Sequence, residues 1–261
     1  LLESPLPEQQ MAAAIVLSEL RVKESGAIKA LCAALETGSR PLRLLVLETL
    51  GRTASAAVVP SLLSMIESSD DEIRERATRV LIEMGPVAVR QAAARILDAP
   101  PSARRALIMI LSRARTSDSI KALLTLAGAG HPEASREASG ALVAMSHAMS
   151  RPEKARLRAM AEKILKTPPD KAPAGELSAA LHLISAVGQP GDAPRLLKIL
   201  SPNYPEMVRR DALLAIAGVL KRGLVPHAVL AGILPIIMEG PSPALRSASI
   251  EVLGTLKLPG S

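Results

Sequence analysis

The sequence predicts an all-α solenoid, a superhelix of about seven to eight helical hairpins running through residues 1–261 as a single domain. Three observations predict it. An arginine that opens an apolar helix recurs, mostly at intervals of 30 to 33 residues; a second apolar helix fills each interval; and turn-forming residues stand before each arginine helix. Two helices per repeat of that length cannot bury their apolar faces alone, and do so by stacking on the next pair.

The arginine helix, here called the pivot helix, is clearest at Ile73-Arg74-Glu75-Arg76-Ala77-Thr78-Arg79-Val80-Leu81. An aliphatic residue precedes the arginine, a small or apolar one follows three later, and an aliphatic one follows seven later. This spacing puts all of them on one helical face. The same frame fits Leu42-Arg43…Val46…Leu50, Ala103-Arg104…Leu107…Leu111, Val208-Arg209…Ala212…Ile216 and Leu245-Arg246…Ser249…Leu253. Ser135-Arg136…Ser139…Val143 is a weaker copy, and Gln10…Ala13…Leu17 and Leu177…Ala180…Ile184 fit with the arginine replaced.

The second helices are expected at Ala27–Glu36, Ala56–Glu67, Val87–Leu97, Ser119–Ala127, Pro152–Lys166, Ala193–Leu200 and His227–Glu239. The turns at 38–41, 68–71, 99–102, 130–133, 201–205 and 240–243 combine Gly or Pro, which stop a helix, with Ser or Asp, which cap the next. The longest irregular interval, the Pro-rich 167–175, reads as a joint inside the solenoid or as a recognition loop.

Turn, then aliphatic-Arg-x-x-Ala, then Leu resembles the HEAT-like repeats of the phycobilisome-lyase type, over nearly the whole chain. The resemblance implies that Arg43, Arg74, Arg104, Arg136, Arg209 and Arg246 are structural, each pairing with an acidic residue or with carbonyls in an adjoining turn to form a ladder between repeats. Function does not follow from it, because such repeats occur in scaffolds, adaptors, pigment lyases, DNA glycosylases and a hydroxylase of a modified lysine.

Composition narrows the choice. Hydrophobic residues make up 48% of the chain, yet Tyr204 is its single tyrosine and there is no Phe or Trp, so the core is built from Leu, Ala, Val, Ile and Met. Such a core suits packed helices better than a β-sandwich. Cys32, the single cysteine, sits in an apolar run and reads as a buried thiol. No apolar stretch reaches the ~20 residues of a membrane span. The chain starts at Leu1 rather than Met, as a piece of a longer protein would, and a cytoplasmic location is the default in the absence of disulfides.

No catalytic signature is present in the sequence. His131, His147, His182 and His227 lack metal-ligand spacing, and no His-Glu dipeptide occurs. Neither a Gly-x-Ser-x-Gly elbow nor a phosphate-cradling glycine loop is found. The expectation is a non-enzyme with no cofactor, no metal and no small-molecule substrate.

A binding role remains. Helical periodicity leaves Arg52, Arg76, Arg79, Arg105, Met109 and Arg113 outside the core, as the centre of a groove for an acidic or amphipathic protein segment on a concave face. The same offsets point Glu137, Ala141, Met145, His182, Arg210 and Asp211 outward farther along. The formal charge of +7 is concentrated in residues 151–261, with 15 basic and 9 acidic side chains. Arg151, Lys154, Arg156, Arg158 and Lys163 make a basic helix that offers a second surface to an acidic partner. Nucleic acid is the alternative ligand; it needs only phosphate contacts, because one tyrosine cannot supply base stacking.

Overall fold

In the computed structural model, which describes residues 1–20, 24–53, 55–221, 231–236 and 242–255, every regular element is helical. Unit one and unit two, two compact units, comprise Leu1–Ala122 and Leu123–Ser261.

The first unit holds α1 (Pro7–Glu19), α2 (Ser25–Thr37), α3 (Arg40–Thr53), α4 (Val59–Met65), α5 (Asp71–Glu83), α6 (Pro86–Arg95) and α7 (Pro101–Ala114). The pivot helices α1, α3, α5 and α7 pack side by side in chain order, while α2, α4 and α6 form a second layer against them. The unit boundary falls inside α8 (Ser117–Gly128). The second unit continues with α9 (Pro132–His147), α10 (Arg151–Leu165), α11 (Ala174–Val187), α12 (Ala193–Leu197), α13 (Glu206–Leu220), α14 (231–236) and α15 (Pro243–Thr255). There α9, α11, α13 and α15 pack in series, with α10 on α11 and α12 on α13. Each unit is thus a solenoid segment of stacked helical hairpins, and all eight pivot positions lie on helices.

The cores follow the sequence period. Leu42, Val46, Leu47 and Leu50 on α3, and Ile73, Ala77 and Leu81 on α5, are buried, as are Leu177, Ala180 and Ile184 on α11. Burying each such leucine or isoleucine contributes ~1.5–3 kcal/mol. Prolines at the first turns of α6, α7, α9 and α10 occupy positions where a missing N–H costs nothing. Asp70 Oδ1 caps α5, accepting from the N–H groups of Glu72 at 2.9 Å and Ile73 at 3.2 Å.

Two second helices are shorter than the sequence suggests. The 56–67 interval opens with a 3-10 turn at Ala56–Val58 before α4, and the 193–200 interval closes α12 with another at Lys198–Leu200. The second helix expected at His227–Glu239 lies mostly outside the described residues, apart from α14. Cys32 is half-buried rather than a core thiol, because it sits beside the buried stripe of Leu31, Ala34 and Leu35.

The pivot arginines share a local contact. Arg43 donates from its guanidinium to the Glu36 carbonyl at 2.7 Å, Arg74 to the Ser68 carbonyl at 2.8 Å and Arg104 to the Ala99 carbonyl at 2.8 Å. Each carbonyl belongs to the end of the preceding second helix or its turn, where helical partners run out. Hence the arginine fastens one hairpin to the start of the next. Arg74 also pairs with Asp71 of its own first turn. Arg136 departs from the pattern, its Nε reaching only the Pro132 carbonyl of its own helix at 3.4 Å; the Nε of Arg209, like those of Arg43 and Arg104, is buried with no partner among the described residues. Links that reach a full repeat farther come from other residues: Arg40 pairs with Asp70 and Glu72, and the Ser242 hydroxyl donates to Glu206 at 2.6 Å.

A hydrogen bond from a charged donor stabilises by about 1.5–3 kcal/mol. Arg104→Ala is therefore expected to lower the unfolding free energy by about 1–3 kcal/mol in urea titration while leaving the far-ultraviolet dichroism of the native state helical; an unchanged midpoint would remove the clamp from the account.

Candidate functional site

On the first unit, the outward side chains of the pivot helices line two adjoining grooves. One, between α3 and α5, has a volume of about 410 Å³ and is bordered by Glu48, Arg52, Arg76, Arg79 and Glu83. The helices come close here because Gly51 faces Val80, whose Cγ1 would lie 2.9 Å from an added Cβ. The other groove, between α5 and α7, measures about 500 Å³ and includes Glu75, Arg79, Arg105 and Met109. Arg79 borders both. Arg113 is exposed one turn past Met109 and lines neither.

Glutamates accompany these arginines. Arg52 pairs with Glu48 at 3.0 Å, Arg76 with Glu72 at 3.5 Å and Arg79 with Glu75 at 3.2 Å, each across one helical turn. Exposed pairs at this spacing contribute only ~0.3–0.5 kcal/mol. They leave a surface of alternating sign, on which Met109 is 51% exposed.

The basic helix is α10. Arg151, Arg156 and Lys163 are exposed on it and Lys154 is half-exposed. Arg158 is not part of that surface: it pairs with Asp192, a buried carboxylate, and lies 3.0 Å from Glu162. Glu162 in turn meets Arg195 at 3.2 Å. The network ties α10 to the turn before α12, so Arg158 is committed to packing. Its partner lies 34 residues away, a contact that no local charge count exposes.

A larger groove belongs to the second unit. It has a volume of about 970 Å³ and runs between α9, α11 and the start of α13, beside the end of α8. Its walls are short: Gly128, Ser139, Gly140, Ala144 and Gly175 are among them. Gly175, the last residue of the 167–175 interval, lies so near the end of α8 that an added Cβ would stand 2.2 Å from the Ala127 carbonyl oxygen. Only glycine fits there.

Asp211 is sunk in this groove at 3% exposure, although helical periodicity alone points it outward. Met145, expected outward too, is likewise buried. The cause at Asp211 is tight packing of α11 on α13, where the Ser185 side chain fills the space beside Gly218. The Ser178 hydroxyl donates to Asp211 Oδ2, His182 Nε2 lies 3.8 Å from the same oxygen, and an Arg210 guanidinium nitrogen lies 3.5 Å from Oδ1. At 3.8 Å the imidazole is past hydrogen-bond reach and acts by charge when protonated. Ser, His and Asp are therefore together, but the serine gives its proton to the carboxylate and not to the imidazole. That order holds a buried anion and does not activate the hydroxyl as a nucleophile.

Burial pushes the Asp211 carboxyl up, while His182, the Ser178 hydroxyl and Arg210 more than offset it, holding it below its ordinary value of 3.8. The sequence does carry a signal for this cluster: Ser178 and His182 share a helix face, and Asp211 follows Ser178 by 33 residues, one repeat along. Among the described residues no group of three or more His, Cys, Asp or Glu is placed to hold a metal ion, and no helix is long and apolar enough to cross a membrane.

Paired helices stacked in layers, with a clamping arginine at each of several turns, define an α-solenoid. Within that class, residues 1–82 match the family model of HEAT repeats. Two crystal structures of the karyopherin Kap121p are similar in fold. A mutant form is 11% identical with a TM-score of 0.61, covering 97% of this chain and 32% of that one. The other is 10% identical with a TM-score of 0.51, covering 98% and 36%. At these identities the likeness shows fold alone, and the chain spans about a third of the length of Kap121p. The complex of CpcE and CpcF of phycocyanin lyase from Nostoc sp. matches at 20% identity over 95% of this chain and 91% of that one, with a TM-score of 0.35. No curated protein sequence matches.

Asp211 supplies a pH test. Its folded pKa lies below the unfolded one, so its stabilising contribution is fully present above about pH 4 and is lost as pH falls through the folded value. Asp211→Asn is expected to melt below the wild type at pH 7, with the gap closing in acid; a constant gap from pH 7 to pH 2 would contradict the assignment.

Proposed function

We propose that the chain is a non-enzymatic repeat scaffold that binds a protein partner through the pivot-helix face of its first unit. The observation that carries this reading is the convergence of Arg52, Arg76, Arg79, Arg105 and Met109 on two grooves that share Arg79. Alternating charges with an exposed methionine among them suit an acidic or amphipathic segment, whose apolar side chains meet Met109 while its carboxylates compete for Arg52, Arg76 and Arg79, each in a weak surface pair. Arg113 extends the strip by one turn.

Phosphate-backbone binding is the second reading, favoured by exposed Arg151, Arg156 and Lys163 on α10. The glutamates beside Arg52, Arg76 and Arg79 weigh against it on the first unit, because a phosphate backbone brings no apolar side chain to Met109 to make up for the field they cancel. Salt separates the readings: nucleic-acid affinity falls steeply and linearly on a log–log plot, whereas a protein contact built partly on apolar burial falls less.

In a pull-down from the native cell, the double variant Arg79→Glu and Arg105→Glu is expected to lose at least nine-tenths of the specifically retained protein while keeping its helical dichroism. Undiminished capture by the folded variant would end the proposal for this face.

A further inference from the structure

We infer that the groove of the second unit is a separate docking site, which takes an acidic amphipathic helix. This goes beyond the binding role proposed for the first unit and rests on different residues.

Charge identifies the occupant. The ionisable side chains lining the groove are Arg136, His147, His182, Arg210 and Asp211. The one carboxylate among them is 3% exposed, accepts the Ser178 hydroxyl and faces both His182 and Arg210. Two guanidinium groups stand against this one buried carboxylate, so what the groove presents outward is cationic, with Arg136 carrying the excess. Arg136 and His147 are exposed, and Arg136 spends only its Nε, on a carbonyl of its own helix. Charge-assisted contacts to carboxylates suit such guanidinium groups.

Shape identifies its form. A groove of about 970 Å³ that opens between neighbouring helices is large enough for turns of helix, and walls of Gly128, Gly140, Ala144 and Gly175 let another backbone come near the ~8 Å limit of helix–helix spacing. Met207, at 47% exposure, adds an adaptable apolar contact at the edge.

Gly140 supports the inference independently. It stands in the middle of α9 with no atom within 4 Å of where a Cβ would be, so no packing requirement excludes a side chain there. Glycine in a helix interior is unfavourable relative to alanine. The position gives up helix stability and leaves the groove clear, the arrangement expected where another chain is to lie. An occupant with Leu or Met at i, i+3 and i+4 and Glu or Asp on the flanks would set its apolar stripe on these short walls and a carboxylate against Arg136.

The test uses the whole chain and a displayed library of random 16-residue peptides as the probe. Selected peptides are expected to be rich in Glu and Asp interleaved with Leu and Met at helical spacing. One of them, fluorescently labelled, should bind the Gly140→Leu and Arg136→Glu variants at least tenfold more weakly than the wild type. Gly140→Leu fills open space, so its melting temperature should equal or exceed that of the wild type, and lost binding then reports a blocked groove and not a lost fold. The Arg79→Glu, Arg105→Glu variant should bind the selected peptide unchanged, which keeps this result distinct from the fate of the first unit's site. Selection of peptides without acidic bias, no selection at all, or wild-type affinity in both Gly140→Leu and Arg136→Glu would overturn the inference.

Discussion

A hairpin of this chain has no core of its own. Its two helices carry aliphatic side chains wide enough to cover one neighbour, and the neighbour must be another hairpin. Everything else in each unit answers to that constraint. Leu42, Val46 and Leu50 are buried because α1, α2 and α5 stand around α3, and Ile73 and Leu81 because α3, α4 and α7 stand around α5. The absence of Phe and Trp follows the same logic, since slender aliphatic and alanine side chains allow helices to lie close without bulky gaps to fill. Gly51 against Val80 and Gly218 against Ser185 mark places where closeness is carried to its limit.

Stacking leaves the ends of the helices to be satisfied at every joint, and the pivot arginines deal with that need. Arg43, Arg74 and Arg104 each cover a carbonyl that the preceding helix leaves open. The joint before α9 is managed differently. Arg136 turns back on its own helix, while the Ser135 hydroxyl donates to the Ala127 carbonyl at 2.6 Å in the same turn, a neutral substitute for a guanidinium. With Arg136 released from the joint, its charge is left at the wall of the groove. A change in how a turn is held thereby becomes a change in what the surface displays.

The fold was legible because its signal is repeated. One copy of aliphatic-Arg-x-x-Ala would say little, but pivots at 43, 74, 104 and 209 also fix where the intervening helices must lie. Periodicity likewise placed Arg79, Arg105 and Met109 on an open face, since an exposed position on a regular helix depends on local geometry alone. It failed where depth is decided by a neighbour. Asp211 and Met145 occupy faces that a lone helix would show to water, and close packing covers them. Arg158 has the spacing of a surface base, but its partner Asp192 approaches from another hairpin. Short 3-10 turns at 56–58 and 198–200 were equally hidden, being adjustments of the chain between two anchored helices and not preferences of the residues themselves.

Tyr204 lies in the turn that leads into α13, half-buried, its N–H bonded to the Ser201 carbonyl at 3.1 Å. With no Trp or Phe in the chain, its aromatic chromophore is confined to one corner between two helices. Near-ultraviolet absorption and fluorescence therefore report on a single bend, and the aliphatic side chains of the core add nothing to them.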